Sequence, residues 1–362
     1  MIPITKLVLS GDEENNVLRI LRSGQLVQGK EIEEFEEEFA SFIGSKYAVA
    51  VSSGTTALHL ALLALGIGTG DEVITTPFSF IASTNAILYV GAKPVFVDIA
   101  DDFNIDVNAI EKAITPKTRV ILPVHLFGNP CDMDNICNIA KKNKVFVVED
   151  ACQAHGSIYR NKKIGSLGDL GCFSFYATKN MTTGEGGMVV TNNINYYRYL
   201  KMARSHGSRV RYFHEFLGYN FRMTEMQATI GRVQLKKLIA NNEKRIENAN
   251  YYNEHLAGIK GLVLPKIKMN KKHVFHQYTV RITKDFPINR EIFSNILSNK
   301  GIGSAIYYPI PIHKQNSMKK IMYNKGSLSM SEQLSKEVIS LPVHPFLKKE
   351  ELEYIVKTIK KL

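Results

Sequence analysis

GCFSFYATKNMTTGEGG, residues 171–187, places a single lysine, Lys179, in company that decides the fold. The apolar run from Cys172 to Tyr176 reads as a buried strand. Lys179 follows it at once, and a flexible turn of Thr182, Thr183, Gly184, Gly186 and Gly187 comes next. An ammonium ion just past a buried strand must be paired, lose its proton or react covalently. Lys179 is therefore read as the residue that holds a cofactor.

Upstream, short apolar stretches at 47–51, 72–75, 94–98, 119–123 and 145–149 alternate with helical patterns at 55–65, 81–90, 107–114 and 132–142. Alternation at this spacing predicts an α/β fold with a mostly parallel sheet flanked by helices. Two helices, 12–23 and 30–42, come first and are stopped by Gly24 and Gly44. A strand at 188–191, a helix at 194–204 and a long helix from an N-cap at Thr224 toward Leu256 follow the lysine stretch. Beyond Gly258 the texture changes to a strand at 277–282, helices at 291–299, 331–340 and 350–360, and a proline-broken segment at 306–311. The expected division is a large domain of residues 1–244 and a smaller α+β C-terminal domain of residues 245–362, with residues 1–24 free to pack on the smaller one.

With 44% apolar and 22% charged residues, the chain reads as a globular enzyme or binding protein. No apolar run approaches the roughly 20 residues of a membrane span, and the N-terminus lacks the pattern of a secretory leader. A cytoplasmic protein that does not engage a membrane is expected. Cys131, Cys137, Cys152 and Cys172 form no CxxC pair and read as reduced, mostly buried thiols. His125, His155, His206 and His313 show no metal-ligand spacing, so no metal is expected.

The net charge of +12 raises the question of nucleic acid. From Asn241 onward there are 21 Lys and Arg against 10 Asp and Glu, and before it 25 against 24. The excess is spread over Lys266, Lys268, Lys271, Lys272, Lys319, Lys320, Lys348, Lys349, Lys360 and Lys361, without interleaved Arg and aromatics. A solvated basic face is expected rather than a nucleic-acid partner, with Lys271 and Lys272 as candidates for helping to hold an anionic substrate.

In open parallel sheets, ligands bind outside the carboxyl ends of the strands. Ser53-Gly54-Thr55, the segment Phe78 to Phe80, Asp150, and Ser174 with Lys179 all fall at such ends. Ser52 to Thr56 opens a helix directly after a strand, where N–H groups and hydroxyls can hold a phosphate. It is not a P-loop, and Gly66, Gly68 and Gly70 follow a helix, the wrong context for a dinucleotide fingerprint. A lysine for a Schiff base, a carboxylate for a ring nitrogen and a phosphate cradle are what pyridoxal 5'-phosphate needs.

Seven motifs in order resemble the DegT/StrS-type (DegT/DnrJ/EryC1/StrS) nucleotide-sugar aminotransferases. They are VSSGTTAL at 51–58, TTPFSFIAS at 75–83, PVHLFG at 123–128, EDACQAHG at 149–156, GDLGCFSFYATKNMTTGEGG at 168–187, LGYNFRMTEMQA at 217–228 and YYPIPIH at 307–313. The resemblance covers nearly the whole chain. It implies the aspartate-aminotransferase-like fold, fold type I among pyridoxal phosphate enzymes, with the active sites of a homodimer at its interface. It implies that Lys179 forms the Schiff base, that Asp150 keeps the pyridine nitrogen protonated, that Gln153 bonds the ring hydroxyl and that Phe80 stacks on the ring. Gly54, Thr55 and Ser174 would hold the phosphate, with Asn220 reaching in from a neighbouring subunit. Tyr308 and His313 match the family's segment near the sugar.

Tyr176 stands where many members have histidine, and Phe80 where some have tryptophan or tyrosine, which keeps stacking and loses a polar handle. In the family's sugar dehydratases histidine replaces the Schiff-base lysine, and here Lys179 is present. The activity implied is transfer of an amino group from glutamate to a 3- or 4-keto sugar of a nucleoside diphosphate, with the YYPIPIH segment leaning toward 3-keto substrates. The product would be an amino-sugar for surface polysaccharide or another glycan. A pyridoxal phosphate dehydratase or lyase of the same fold is the alternative, and a DNA-binding regulator a more distant one that would not need Lys179.

Overall fold

The structure, a computed structural model, describes residues 1–319, 321 and 327–362; Lys320 of the basic set lies outside them. Seven strands form the central sheet: β1 (Tyr47–Val51), β2 (Glu72–Thr75), β3 (Lys93–Phe96), β4 (Thr118–Ile121), β5 (Phe146–Asp150), β6 (Leu170–Ser174) and β7 (Gly187–Thr191). Their spatial order is β1-β7-β6-β5-β4-β2-β3. Only β7 runs antiparallel to its neighbours, β1 and β6. The connection from Ser174 to Gly187 contains no crossover helix, so the chain returns antiparallel. Gly184, at φ +82°, takes the backbone through the left-handed region within that return.

The strands alternate between two cores, as a period of two requires. Ala48, Ala50, Ile74, Ile121, Val147 and Val190 face one side, against Phe35 and Phe39 of helix α2 (Lys30–Ile43) and Leu235 and Leu238 of helix α8 (Glu225–Leu256). Val49, Val51, Val73, Val120, Val148 and Val189 face the other, against Leu58 and Leu60 of α3 and Leu200 of α7. The helices are α1 (Gly11–Ser23), α2 (Lys30–Ile43), α3 (Gly54–Ala64), α4 (Ala82–Tyr89), α5 (Val107–Ala113), α6 (Met133–Asn143), α7 (Ile194–Ala203) and α8 (Glu225–Leu256).

Thr224 caps α8, with Gln227 returning the bond, as the sequence predicts. This helix runs through residue 244 without a break. Its N-terminal half packs beneath the sheet, while Ala249, Tyr252 and Leu256 join a C-terminal core with Tyr278, Val280, Phe293, Leu297 and Ile339. Ile2 lies in that same core, and Gln234 and Lys237 of α8 reach Glu13 of α1.

The C-terminal part contains an antiparallel sheet of β8 (Leu262–Val263), β9 (Tyr278–Ile282) and β10 (Val338–Leu341), with β9 central, and helices α9 (Arg290–Asn299), α10 (Ser329–Glu337) and α11 (Lys349–Ile359). Here one expectation is corrected. The helix predicted over 331–340 ends at Glu337, and 338–341 pair with β9 instead. No Gly or Pro marks that stop. It comes from the open edge of β9, whose backbone groups need partners in a buried setting. Two-residue ribbons such as Ile158–Tyr159 with Lys162–Lys163 were too short for any periodicity to register.

The basic face is also corrected in part. Lys266 lies 3.5 Å from Asp101, Lys268 and Lys271 lie 3.4 and 3.5 Å from Asp102, and Lys272 pairs with Glu243. The Lys271 side chain is only 4% exposed. Lys271 and Lys272 thus each stand beside a carboxylate instead of forming an open basic surface. Among the described residues no helix is long and apolar enough to cross a membrane.

Helix α2 begins without a side-chain cap of its own. Glu225, the first residue of α8, accepts instead from the N–H groups of Gly29, Glu31 and Ile32 at 2.9, 3.0 and 3.1 Å. A carboxylate there satisfies orphan donors and complements the helix dipole. Glu225→Ala is expected to destabilise the fold by about 1–3 kcal/mol, read as a lower urea midpoint; an unchanged midpoint would show that water replaces the cap at no loss.

Candidate active site

The carboxyl ends of β1, β2, β5 and β6 open on one cavity of ≈700 Å³. Gly54, Thr55, Phe80, Asp150, Gln153, Ser174, Lys179 and Tyr308 all line it. They come from five separate stretches of sequence, brought together by the strand order. A larger cleft, ≈1320 Å³, lies beside the ribbon of Ser208–Val210 and Phe213–His214, lined by Arg198, Lys201, Arg209, Arg211 and Arg222. None of the predicted site residues lines that cleft.

Asp150 ends β5 and is buried. Its Oδ2 accepts from Ser83 Oγ at 2.7 Å and its Oδ1 from the Cys152 N–H at 3.2 Å. Ser79 lies within 3.1 Å of Ser83, extending a hydroxyl chain along α4. The carboxylate is thereby held in one orientation with lone pairs still free. Lys179 is half-buried, at the cavity wall. Burial holds its amine below the usual lysine range, with Cys152 and Asp150 opposing that shift.

The first turn of α3 faces the same cavity. Ser53 and Thr56 close a capping box on each other, which leaves the Gly54 and Thr55 N–H groups without an acceptor among the described residues. Gly54 is required by contact. A Cβ there would sit 2.6 Å from Ser174 Cβ and 2.9 Å from Cys152 Sγ. Ser174 and the helix start are thus pressed together at one end of the cavity.

Gln153 is fixed at both ends, accepting from the Phe127 N–H at 2.8 Å and donating to Tyr308 Oη at 3.2 Å. Phe80 is 55% exposed with its ring centroid 6.4 Å from that of Tyr308. A large aromatic left open on a cavity wall is a platform for a flat ligand. Two predicted residues stand elsewhere. Asn220 is exposed and bridges to Ser205, at the rim of the larger cleft. His313 is buried on the turn Ile312–Lys314 and bonds Glu332 at 3.0 Å.

A model of the DegT/DnrJ/EryC1/StrS aminotransferase family matches residues 8–360. The chain belongs to this family. It is 42% identical over 99% of its length, and 94% of the relative's, to the UDP-N-acetyl-3-dehydro-alpha-D-glucosamine 3-aminotransferase of Acidithiobacillus ferrooxidans. It is 39% identical to the dTDP-3-amino-3,4,6-trideoxy-alpha-D-glucose transaminase of Streptomyces venezuelae, over 97% of this chain and 92% of that protein. The crystal structure of S. venezuelae DesV in complex with a ketimine intermediate superposes with a TM-score of 0.92 at 39% identity, covering 96% of this chain and 93% of DesV. The fold is that of the family's aminotransferases, and the cofactor of the family is pyridoxal phosphate.

The residues present fit that cofactor. A lysine amine of lowered basicity, an oriented carboxylate, unmet helix N–H groups beside two hydroxyls, and an open aromatic face are the four donors and surfaces it requires. Sequence reading missed Ser83, although TTPFSFIAS contains it; its role depends on α4 lying over the end of β5. It also missed Glu185 and Tyr307, although two quoted motifs contain them, and His276 and Gln277, which reach the cavity from a loop without a local signature. His125 and Glu149 prove to be scaffolding: they bond each other at 3.1 Å while Glu149 accepts from the Gly165, Leu167 and Gly168 N–H groups. His155, packed on Phe173 and Phe175, is pushed down to about 3 by burial and stays neutral.

Because its amine is less basic than an ordinary lysine's, Lys179 has more of the neutral, nucleophilic form at any pH below 10.5. Capture of pyridoxal phosphate by the apoenzyme, followed by absorbance, should therefore reach its plateau at a lower pH than capture by a free lysine side chain. An apparent midpoint at or above the ordinary lysine value would refute this. Gly54→Val is expected to leave a folded protein that loses the cofactor on dialysis, since its side chain occupies the space of Ser174 and Cys152.

Proposed function

We propose that this chain transfers an amino group from glutamate to a keto-sugar of a nucleoside diphosphate, making an amino-sugar for surface polysaccharide or another glycan. The observation behind this reading is the convergence of Lys179, Asp150 and the open N-terminus of α3 on one cavity. The names of the two relatives above both place the reacting position at C3, as a 3-dehydro sugar in one and a 3-amino sugar in the other, which together with YYPIPIH supports C3 as the site of amination here. A cytoplasmic homodimer completes the reading: Asn220, exposed and away from its own cavity, reaches the phosphate site of the partner.

Bound pyridoxal phosphate supplies an aldehyde carbon that takes up the amino group and a ring that draws electrons from the bond being broken. Lys179 is the residue that holds that aldehyde. With the cofactor bound, the Lys179 amine, kept less basic by burial, would take the proton from the donor's Cα and deliver it to the carbon that carried the aldehyde. In the second half it delivers a proton to the sugar carbon that receives the amine. Asp150, oriented by Ser83, keeps a proton on the ring nitrogen. Gly54, Thr55 and Ser174 hold the phosphate, Gln153 the ring hydroxyl, and Phe80 covers one face. Tyr308 and His313 lie on the sugar side, His313 through its segment.

Lys179→Ala is expected to lower 2-oxoglutarate release by at least about 10³-fold, in the range of lost acid–base catalysis. Asp150→Asn should lower it by about 10²–10³-fold while the protein stays folded. The decisive assay is a panel of keto-sugar nucleotides with glutamate, following 2-oxoglutarate and locating the new amine by NMR. Turnover of a keto-sugar without any amino donor would replace this reading with a dehydratase.

A further inference from the structure

One part of the cavity wall comes from neither a strand end nor a helix start. Residues 274–277 are clamped from both sides. The Val274 and Gln277 N–H groups donate to Gly128 O and Phe127 O at 3.1 and 3.3 Å, Asn180 Nδ2 donates to Val274 O at 3.1 Å, and Arg245 Nη1 donates to Phe275 O at 3.4 Å. His276 and Gln277 of this stretch face the cavity.

His276 is 6% exposed. Its Nδ1 is enclosed without a hydrogen-bond partner, and no described residue bonds its Nε2, the nitrogen left to the cavity side. Behind it, Arg245 of α8 is 5% exposed, pairs with no carboxylate among the described residues and has an unbonded Nε. Burial pushes the guanidinium down to about 10, so it keeps its charge at neutral pH. A buried cation lacking a counter-ion is costly, and unmet buried donors call for an anion or ordered water. The cavity's other lining charges are the acids Asp150 and Glu185 and the single cation Lys179.

We propose that His276 binds a carboxylate of the amino-acid donor, and that Arg245 positions it by holding the preceding carbonyl and supplies the balancing positive charge. This rests on the transamination reading above, which brings a carboxylate to this cavity in every cycle. With Nδ1 enclosed and unbonded, the ring presents its N–H from Nε2 and so donates to the anion. His276 is thus a specificity residue for the donor half of the reaction, and the nucleotide sugar does not use it.

The test uses the holoenzyme and glutarate, a dicarboxylate without an amino group, titrated by calorimetry, with glutamate conversion followed in parallel through cofactor absorbance. His276→Ala should weaken glutarate binding and raise the glutamate requirement by at least about tenfold. Its cofactor spectrum and its KM for the keto-sugar nucleotide should stay within about twofold of the parent. His276→Gln, which restores a neutral donor, should recover most of the loss. Arg245→Lys keeps the charge and loses the fork, so it should weaken glutarate less than His276→Ala while retaining the cofactor spectrum. Unchanged glutarate affinity in His276→Ala, or a loss that falls on the nucleotide sugar, overturns the inference. If the unsubstituted enzyme neither binds glutarate nor responds to glutamate, the transamination reading itself fails, and this assignment with it.

Discussion

Parallel pairing of β5 with β6 is the constraint on which the site depends. Its register sets Asp150 beside Cys172, two residues short of Ser174, so that the carboxylate and Ser174 open on the same cavity as Lys179. Asp150 and Lys179, separated by 29 positions in sequence, line one cavity because the sheet places their strands side by side and the turn after β6 folds over their ends. A slip of one residue would turn Asp150 to the opposite face and bury the carboxylate in an apolar core. The Glu149 network guards against that slip, since the carboxylate next to Asp150 is anchored by three backbone N–H groups of the 165–168 loop and by His125.

The second constraint is close approach at the start of α3. With Gly54 against Ser174 and Cys152, the helix N-terminus is brought to the end of β6, and the two hydroxyl-bearing segments share one corner of the cavity. The capping box formed by Ser53 and Thr56 matters for function as well as stability. It satisfies its own donors internally and leaves those of Gly54 and Thr55 for an anion.

The same economy of placement appears along α8. One helix packs its N-terminal half under the sheet, caps α2 through Glu225, and sends Arg245 to the loop that bears His276. Its length allows it to couple the sheet to the C-terminal core while facing different partners on successive turns. Lysines 266–272, by contrast, spend their charge on Asp101, Asp102 and Glu243. What looked like a basic face in sequence is partly an ion-paired seam.

The sequence by itself determined the alternation of strands and helices, the position of Lys179 after a buried strand, and the clustering of Gly54, Thr55, Asp150 and Ser174 at strand ends. These are local facts, written in periodicity, caps and glycines within a few residues of each position. Only the tertiary structure decided that 338–341 is a strand, that the Lys271 side chain is buried, that Ser83 orients Asp150, and that Arg245 holds the carbonyl just before His276. Each of those outcomes depends on a partner far away in the chain, an open strand edge, an acidic neighbour or a helix laid over a strand end, and no local pattern encodes a contact made at such separation.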